Sequence, residues 1–150
     1  MKPVKLLAVS WGGEVSPSTF RRAAILSRER RAELYIAHIW NFPLSYVPEF
    51  IYSNHCEKQE EEAGRLMEAA VETVEAAGGL IAQTYVRLGF PENEVARLSR
   101  EIGADVVILG KQRRGVIKRL LVGSTADRIA RRTSCPVVFV EQEEPLASPA

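Results

Sequence analysis

The chain has 150 residues, of which 46% are hydrophobic and 26% charged, and its formal net charge is +1. That length predicts one domain, large enough to bury roughly two-thirds of the surface its unfolded chain exposes. The near-neutral balance excludes any global charge argument for nucleic acid, no apolar run approaches the ~18 residues that span a bilayer, and two cysteines make no disulfide framework.

The N-terminus lacks the apolar core of a signal peptide, so a cytoplasmic location and no membrane partner are expected. Val4 to Val9, VKLLAV, is predicted as a first buried strand. Ser10-Trp11-Gly12-Gly13 turns the chain, and Ser16 or Ser18 can cap a helix through Arg31. Phe20, Ala23 and Ala24 lie on its apolar stripe, which Ile25 and Leu26 widen. Glu33 to Trp40 is a second strand. Asn41 to Cys56, with two prolines and four aromatics, has no clear period and reads as a long irregular segment. Loops of that length are often functional, although an aromatic-rich one can also fold down over the core.

Glu57 to Ala77 is the clearest helix, with Ala63, Leu66, Met67, Ala70, Val71, Val74 and Ala77 on one stripe and Gly78-Gly79 at its end. Leu80 to Val86 is a third strand. Pro91 and the acids after it open a helix over Glu92 to Ile102, closed by Gly103. Val106 to Leu109 is a fourth strand ended by Gly110. A basic loop follows, then Gly123, Ser124 and Thr125, where Ser124 can cap a helix to about Thr133. Cys135-Pro136 breaks that helix, and Val137 to Val140 is a fifth strand. Residues 141–150 read as a polar tail. Strands and helices in strict alternation predict an α/β fold, a parallel sheet with right-handed crossovers and helices on both faces.

Charge is unevenly spread. Residues 57–75 hold seven Glu against two basic residues, and 111–132 hold eight Lys or Arg against one Asp. Charge runs are usually solvated helix faces. The basic cluster, however, precedes a helix N-terminus with a Gly-Ser entry, which is a generic phosphate or anion site.

The spacing around this cluster resembles the nucleotide loop of the universal stress protein family, whose pattern is Gly, two residues, Gly, nine residues, then Gly-Ser or Gly-Thr. Gly110 matches the first glycine and Gly123-Ser124 the last pair, while Arg113 replaces the middle glycine. The run from Gly115 to Ser124, the ending Cys135-Pro136-Val137-Val138, Ala37-His38-Ile39 and Gly89-Phe90-Pro91 are also similar to the family. The resemblance covers about residues 4 to 140. It implies an open, Rossmann-like sheet of order 3-2-1-4-5, as in adenine nucleotide alpha hydrolase-like folds. Its switch point lies between strands 1 and 4, where ligands collect at the C-terminal ends.

The family contains ATP binders and members lacking the nucleotide motif. The resemblance therefore implies ATP or another adenine nucleotide, or a small phosphate ligand, held by Ala8, Ser10, Ile39, Leu109, Gly110, Arg113, Gly115, Gly123, Ser124 and Thr125. Two positions depart from the ATP binders. Ser10 stands where they carry an aspartate that engages the nucleoside, and a neutral hydroxyl lacks the charge-assisted strength of a carboxylate. Arg113 restricts backbone that a glycine would leave free and crowds the phosphate path, or else holds a phosphate through its guanidinium fork. Trp11 is either a lid over the adenine space or shielding for the sheet edge.

Other constellations are weaker. His38, on a buried strand, reads as a core histidine. His55-Cys56 has no partner pair at zinc spacing, so no metal is predicted. Cys135 reads as a small buried hydrophobe. Ser10, Ser124 and His38 supply parts of a hydrolase site, but no motif places them together. The expectation is stress-linked binding or regulation. The competing readings are an ATP-binding switch with slow hydrolysis and a small enzyme using the same cleft. The resemblance also implies a homodimer through the last strand, Val137, Val138, Phe139 and Val140, whose apolar edge needs covering.

Overall fold

A computed structural model describes residues 2–12, 15–40, 49–112 and 125–142, with 49–56, 111, 112 and 142 described by backbone alone. The elements alternate in chain order: β1 (Lys5–Trp11), α1 (Pro17–Arg30), β2 (Glu33–Trp40), α2 (Glu49–Ala76), β3 (Ile81–Leu88), α3 (Pro91–Ile102), β4 (Val106–Gln112), α4 (Thr125–Arg132) and β5 (Val137–Gln142). The five strands form one sheet of order β3-β2-β1-β4-β5, and every pairing is parallel. This is the predicted order.

The pleat of β1 divides the core into two layers. Leu6 and Ala8 face α1 and α2, packing with Phe20, Ala24, Met67 and Val74. Leu7 and Val9 face α3 and α4, packing with Val95, Leu98, Ile102 and Ile129. Successive side chains on a strand point to opposite faces, so a strand covered on both sides must be apolar throughout. The edge strand β3 is different: Ala82, Gln83, Thr84, Val86 and Leu88 are exposed.

Local chemistry sets the helix ends. Ser16, rather than Ser18, caps α1, its Oγ accepting from the Thr19 N–H at 3.4 Å with Pro17 in the first turn. Pro91 opens α3, and Glu92 and Glu94 lie in its first turn, where the helix dipole favours negative charge. At the N-terminal ends of the two central strands, the Lys5 N–H donates to the Asp105 carboxylate and the Asp105 N–H to the Lys5 carbonyl, both at 2.8 Å.

One expectation is overturned. The segment 41–56 was read as irregular, but residues 49–56 form the first two turns of the 28-residue helix α2. Aromatic and β-branched residues blur the 3.6-residue period and have modest helix propensity, which the long continuous helix behind them overrides. Residues 41–48 lie outside the described residues, as does the tail from 143. The strands also run further toward their C-terminal ends than the apolar runs suggested, β1 by two residues and β4 by three.

Two glycines separate backbone cost from close packing. Gly64 lies inside α2 with open space where a Cβ would project, whereas a Cβ on Gly79 would meet Val74 Cγ1 at 2.7 Å and Ala24 Cβ at 2.9 Å. Gly64→Ala should therefore stabilise the protein by about 0.5–1 kcal/mol through helix propensity. Gly79→Ala should destabilise it by about 1–3 kcal/mol by forcing α1 from α2. Denaturant midpoints of the two variants should move in opposite directions.

Candidate functional site

The central strands do not stay paired to their ends. β1 and β4 are in register from Leu6↔Val106 to Val9↔Leu109. Beyond that pair each continues with its outer neighbour only: β1 with β2 to Trp11↔Ile39, and β4 with β5 to Gln112↔Gln142. A crevice therefore opens between Ser10 and Gly110. Its rims are the backbones of residues 10–12 and 110–112. Gly12 closes the β1 rim with φ +77°, a backbone conformation glycine adopts without penalty, while its N–H still donates to the Ile39 carbonyl at 3.2 Å.

The expected site residues fall into three groups around this crevice. Ser10 and Gly110 lie at its mouth. Ala8, Ile39 and Leu109 are fully buried, so they offer a ligand backbone and not side chain. Ala8 belongs to the layer under α1 and α2, and Ile39 and Leu109 to the layer under α3 and α4. Thr125 begins α4, half-buried, and its Oγ1 accepts from Arg128 Nη2 at 3.1 Å. Arg113, Gly115, Gly123 and Ser124 lie outside the described residues. Trp11 packs half-buried against the α3/α4 layer, on the opposite face of β1 from Ser10.

The structure also joins two residues that the sequence left apart. In the β1–β2 register Ser10 stands beside His38, and Ser10 Oγ lies 2.8 Å from His38 Nδ1. Both are buried, His38 to 1% exposure. The second ring nitrogen, Nε2, is buried with no hydrogen-bond partner. Burial pushes the imidazole below its ordinary pKa of 6.5, while the Gly12 backbone and the Glu62 charge pull it back up. Glu62 is ion-paired with Arg65 at 2.5 Å. The pair is thus a hydroxyl and a base, with the one carboxylate whose charge is felt by the ring, Glu62, ion-paired to Arg65, short of the arrangement of a nucleophilic triad. The match is visible only once the strands are placed. Ser10 and His38 occupy the same place, five residues from the start of consecutive parallel strands.

Comparison with known proteins places this geometry in a family. The sequence profile of the Universal stress protein family matches residues 5–141. The chain belongs to the universal stress protein family. A Staphylococcus aureus (strain USA300) relative that carries the universal stress protein name is 27% identical over 140 residues, covering 93% of this chain and 84% of its own. Among solved structures, a universal stress protein in complex with cAMP superposes with a TM-score of 0.71 at 21% identity, covering 94% of this chain and 98% of that one. The Archaeoglobus fulgidus universal stress protein in complex with dAMP gives 0.61 at 19% identity, covering 92% and 97%. At these identities the likeness is one of fold.

Cys135 is half-buried against the α3/α4 layer, and burial raises its thiol pKa, as suits a packing role. Among the described residues, no three His, Cys, Asp or Glu side chains come together and no helix is long and apolar enough to cross a membrane.

The His38 shift fixes the sign of an acid effect. With the folded pKa below the unfolded value near 6.5, the unfolded chain binds more protons as pH falls through that value. Stability should hold above about pH 6.5 and decline below it, until the folded ring also protonates. In His38→Leu this part of the acid loss should vanish from denaturant unfolding measured between pH 7.5 and 5. An unchanged pH slope would show that His38 titrates as freely folded as unfolded.

Proposed function

We propose that this universal stress protein is a binding and regulatory domain whose ligand is an adenine nucleotide or a related phosphate anion, taken up in the crevice between β1 and β4. The observation that carries this reading is the parting of those strands after Val9↔Leu109. It presents backbone at the C-terminal edge of a parallel sheet, where α/β folds of this type collect ligands. In this reading Ser10 meets the nucleoside, and Gly110, Gly115, Gly123, Ser124 and Thr125 receive the phosphate at the start of α4, helped by the basic loop. Structures of the same fold in complex with cAMP and dAMP support the ligand class. The function is stress-linked and does not require turnover.

Calorimetric titration with AMP and ATP tests it. Saturable binding of at least one nucleotide is expected, with a rise in Tm. Ser10→Asp should tighten it about ten-fold, because hydrogen bonds to a charged acceptor exceed neutral ones by roughly 1 kcal/mol or more. Absence of binding heat and of any Tm shift would reject the nucleotide.

The assembly we propose is a homodimer through β5. This strand is a sheet edge, and Val138 and Phe139 on it are each 39% exposed. Edge strands with apolar side chains require cover. Val138→Lys should shift the protein toward monomer in sedimentation velocity, and an unshifted dimer would remove β5 from the interface.

A further inference from the structure

The sheet has two edges, β5 and β3, and the crevice and the β5 dimer leave β3 unused. We infer that the outer edge of β3 docks an extended segment of another protein, which adds a strand there and carries alternate apolar residues between basic ends. The inference does not rest on the nucleotide reading.

Sheet edges are ordinarily blunted by shortness, proline, bulges or charged side chains. β3 runs for eight residues without a proline. Its irregularity against β2 falls at Leu34/Tyr35, so the pairing from Gln83↔Tyr35 to Leu88↔Trp40 is regular. Its one charged residue, Arg87, does not guard the edge. The guanidinium is clamped by the Glu101 carboxylate at 3.1 and 2.6 Å and lies 5.7 Å from the Tyr85 ring centre. Among the described residues no strand pairs with the outer side of β3. The N–H and C=O groups that alternate residues turn outward there have no ladder partner.

One face of this edge is apolar. Thr84, Val86 and Leu88 stand beside Ile36, His38 and Trp40 of β2, and Ile36 belongs to the layer under α1 and α2. Paired residues share a face of the sheet, so this row looks toward the α2 side. Val86 is 41% exposed and Leu88 49%, and Phe90 just beyond the strand is 45% exposed. Single apolar residues on a surface are ordinary. Two at alternate positions beside an unpaired backbone form the template that strand addition uses.

Helix α2 supplies the charge. Its buried stripe is Ala63, Met67, Ala70 and Val74, and it packs against α1, β2 and β3. At about 100° per residue, Glu62 and Thr73 fall on one flank of that stripe and Glu60, Val71 and Glu75 on the other. Right-handed crossovers place α1 beside the first flank, so the second overhangs β3. Glu60 and Glu75 are exposed, and no ion pair among the described residues engages them. They lie about 22 Å apart along the helix axis. The first and last of seven residues in a strand are about 20 Å apart. A strand with a basic residue at each end, on the face it shares with Val86 and Leu88, therefore meets a glutamate at each end. The same charge disfavours a second copy, because two β3 edges brought together would set glutamates against glutamates.

The probe is the peptide acetyl-Lys-Thr-Val-Thr-Leu-Thr-Lys-amide, whose charge pattern reads alike in either strand direction. Calorimetric titration into the full chain should show saturable binding that weakens as salt rises. One peptide is methylated at the backbone nitrogens of Val and Leu, another at those of Thr. An added strand uses only alternate amides, so one peptide should lose at least about ten-fold in affinity and the other no more than about three-fold. Val86→Lys with Leu88→Lys changes exposed positions and should abolish binding while circular dichroism stays unchanged. Glu60→Lys with Glu75→Lys should weaken the lysine-ended peptide about ten-fold and prefer a glutamate-ended analogue, an exchange that misfolding cannot produce. No binding by the unaltered protein, equal losses from both methylations, or an unexchanged preference overturns the inference. So does sedimentation in which Val86→Lys, and not Val138→Lys, turns a dimer into monomer, because the occupant is then a second copy.

Discussion

The organisation of this protein follows from the position of β1. It is the first strand made and the middle one of five, hydrogen-bonded along both edges and covered on both faces. Right-handed crossovers then dictate the rest. The chain first builds outward through α1 and α2 to β2 and β3, laying both helices on one face. To add β4 on the free edge of β1, it must return across the sheet, and the same handedness puts α3 and α4 on the other face. The helices that follow β1 and β4 therefore lie on opposite faces. Among the described residues the pairing of the two strands stops at Val9↔Leu109 while the outer pairings run on. At the opposite end Lys5 and Asp105 tie the same two strands together. The crevice is a product of topology, and the side chains at its mouth decide what enters.

Element type was legible because each buried strand is a short apolar run and each helix carries an apolar stripe. The strands' extra length was not, since Ser10, Lys111 and Gln112 are polar and hydrophobicity no longer marks pairing there. Backbone hydrogen bonds continue past the core because the outer neighbours supply partners. The start of α2 was lost for a related reason. Over residues 49–56 aromatic and β-branched residues confuse the period, and the glutamate-rich run that made the helix plain begins only at Glu57. In the site, the motif carried the phosphate-facing half, and much of that half, Arg113 to Ser124, lies outside the described residues. The half that we propose meets the nucleoside was found as a position and missed as a pair. Ser10 drew notice for replacing a carboxylate, His38 for being buried, and only register brings them within 2.8 Å.

That pairing explains why a polar strand end is tolerated beside the core. An aspartate beside His38 would form a buried ion pair, whose desolvation cost competes with its attraction. A serine keeps both partners neutral and satisfies one hydrogen bond, at the expense of the strong ligand contact a carboxylate makes. The remaining defect is the unpaired Nε2, a buried polar group that costs on the order of 1–3 kcal/mol. Thr19 Oγ1, in the first turn of α1, is the other such group among the described side chains. A leucine at position 38 would remove the orphan and fill the layer with apolar volume. The local energetics of packing alone therefore argue against a histidine here. What a leucine would forfeit is the bond to Ser10, whose buried hydroxyl at the mouth of the crevice would lose the partner it has at 2.8 Å.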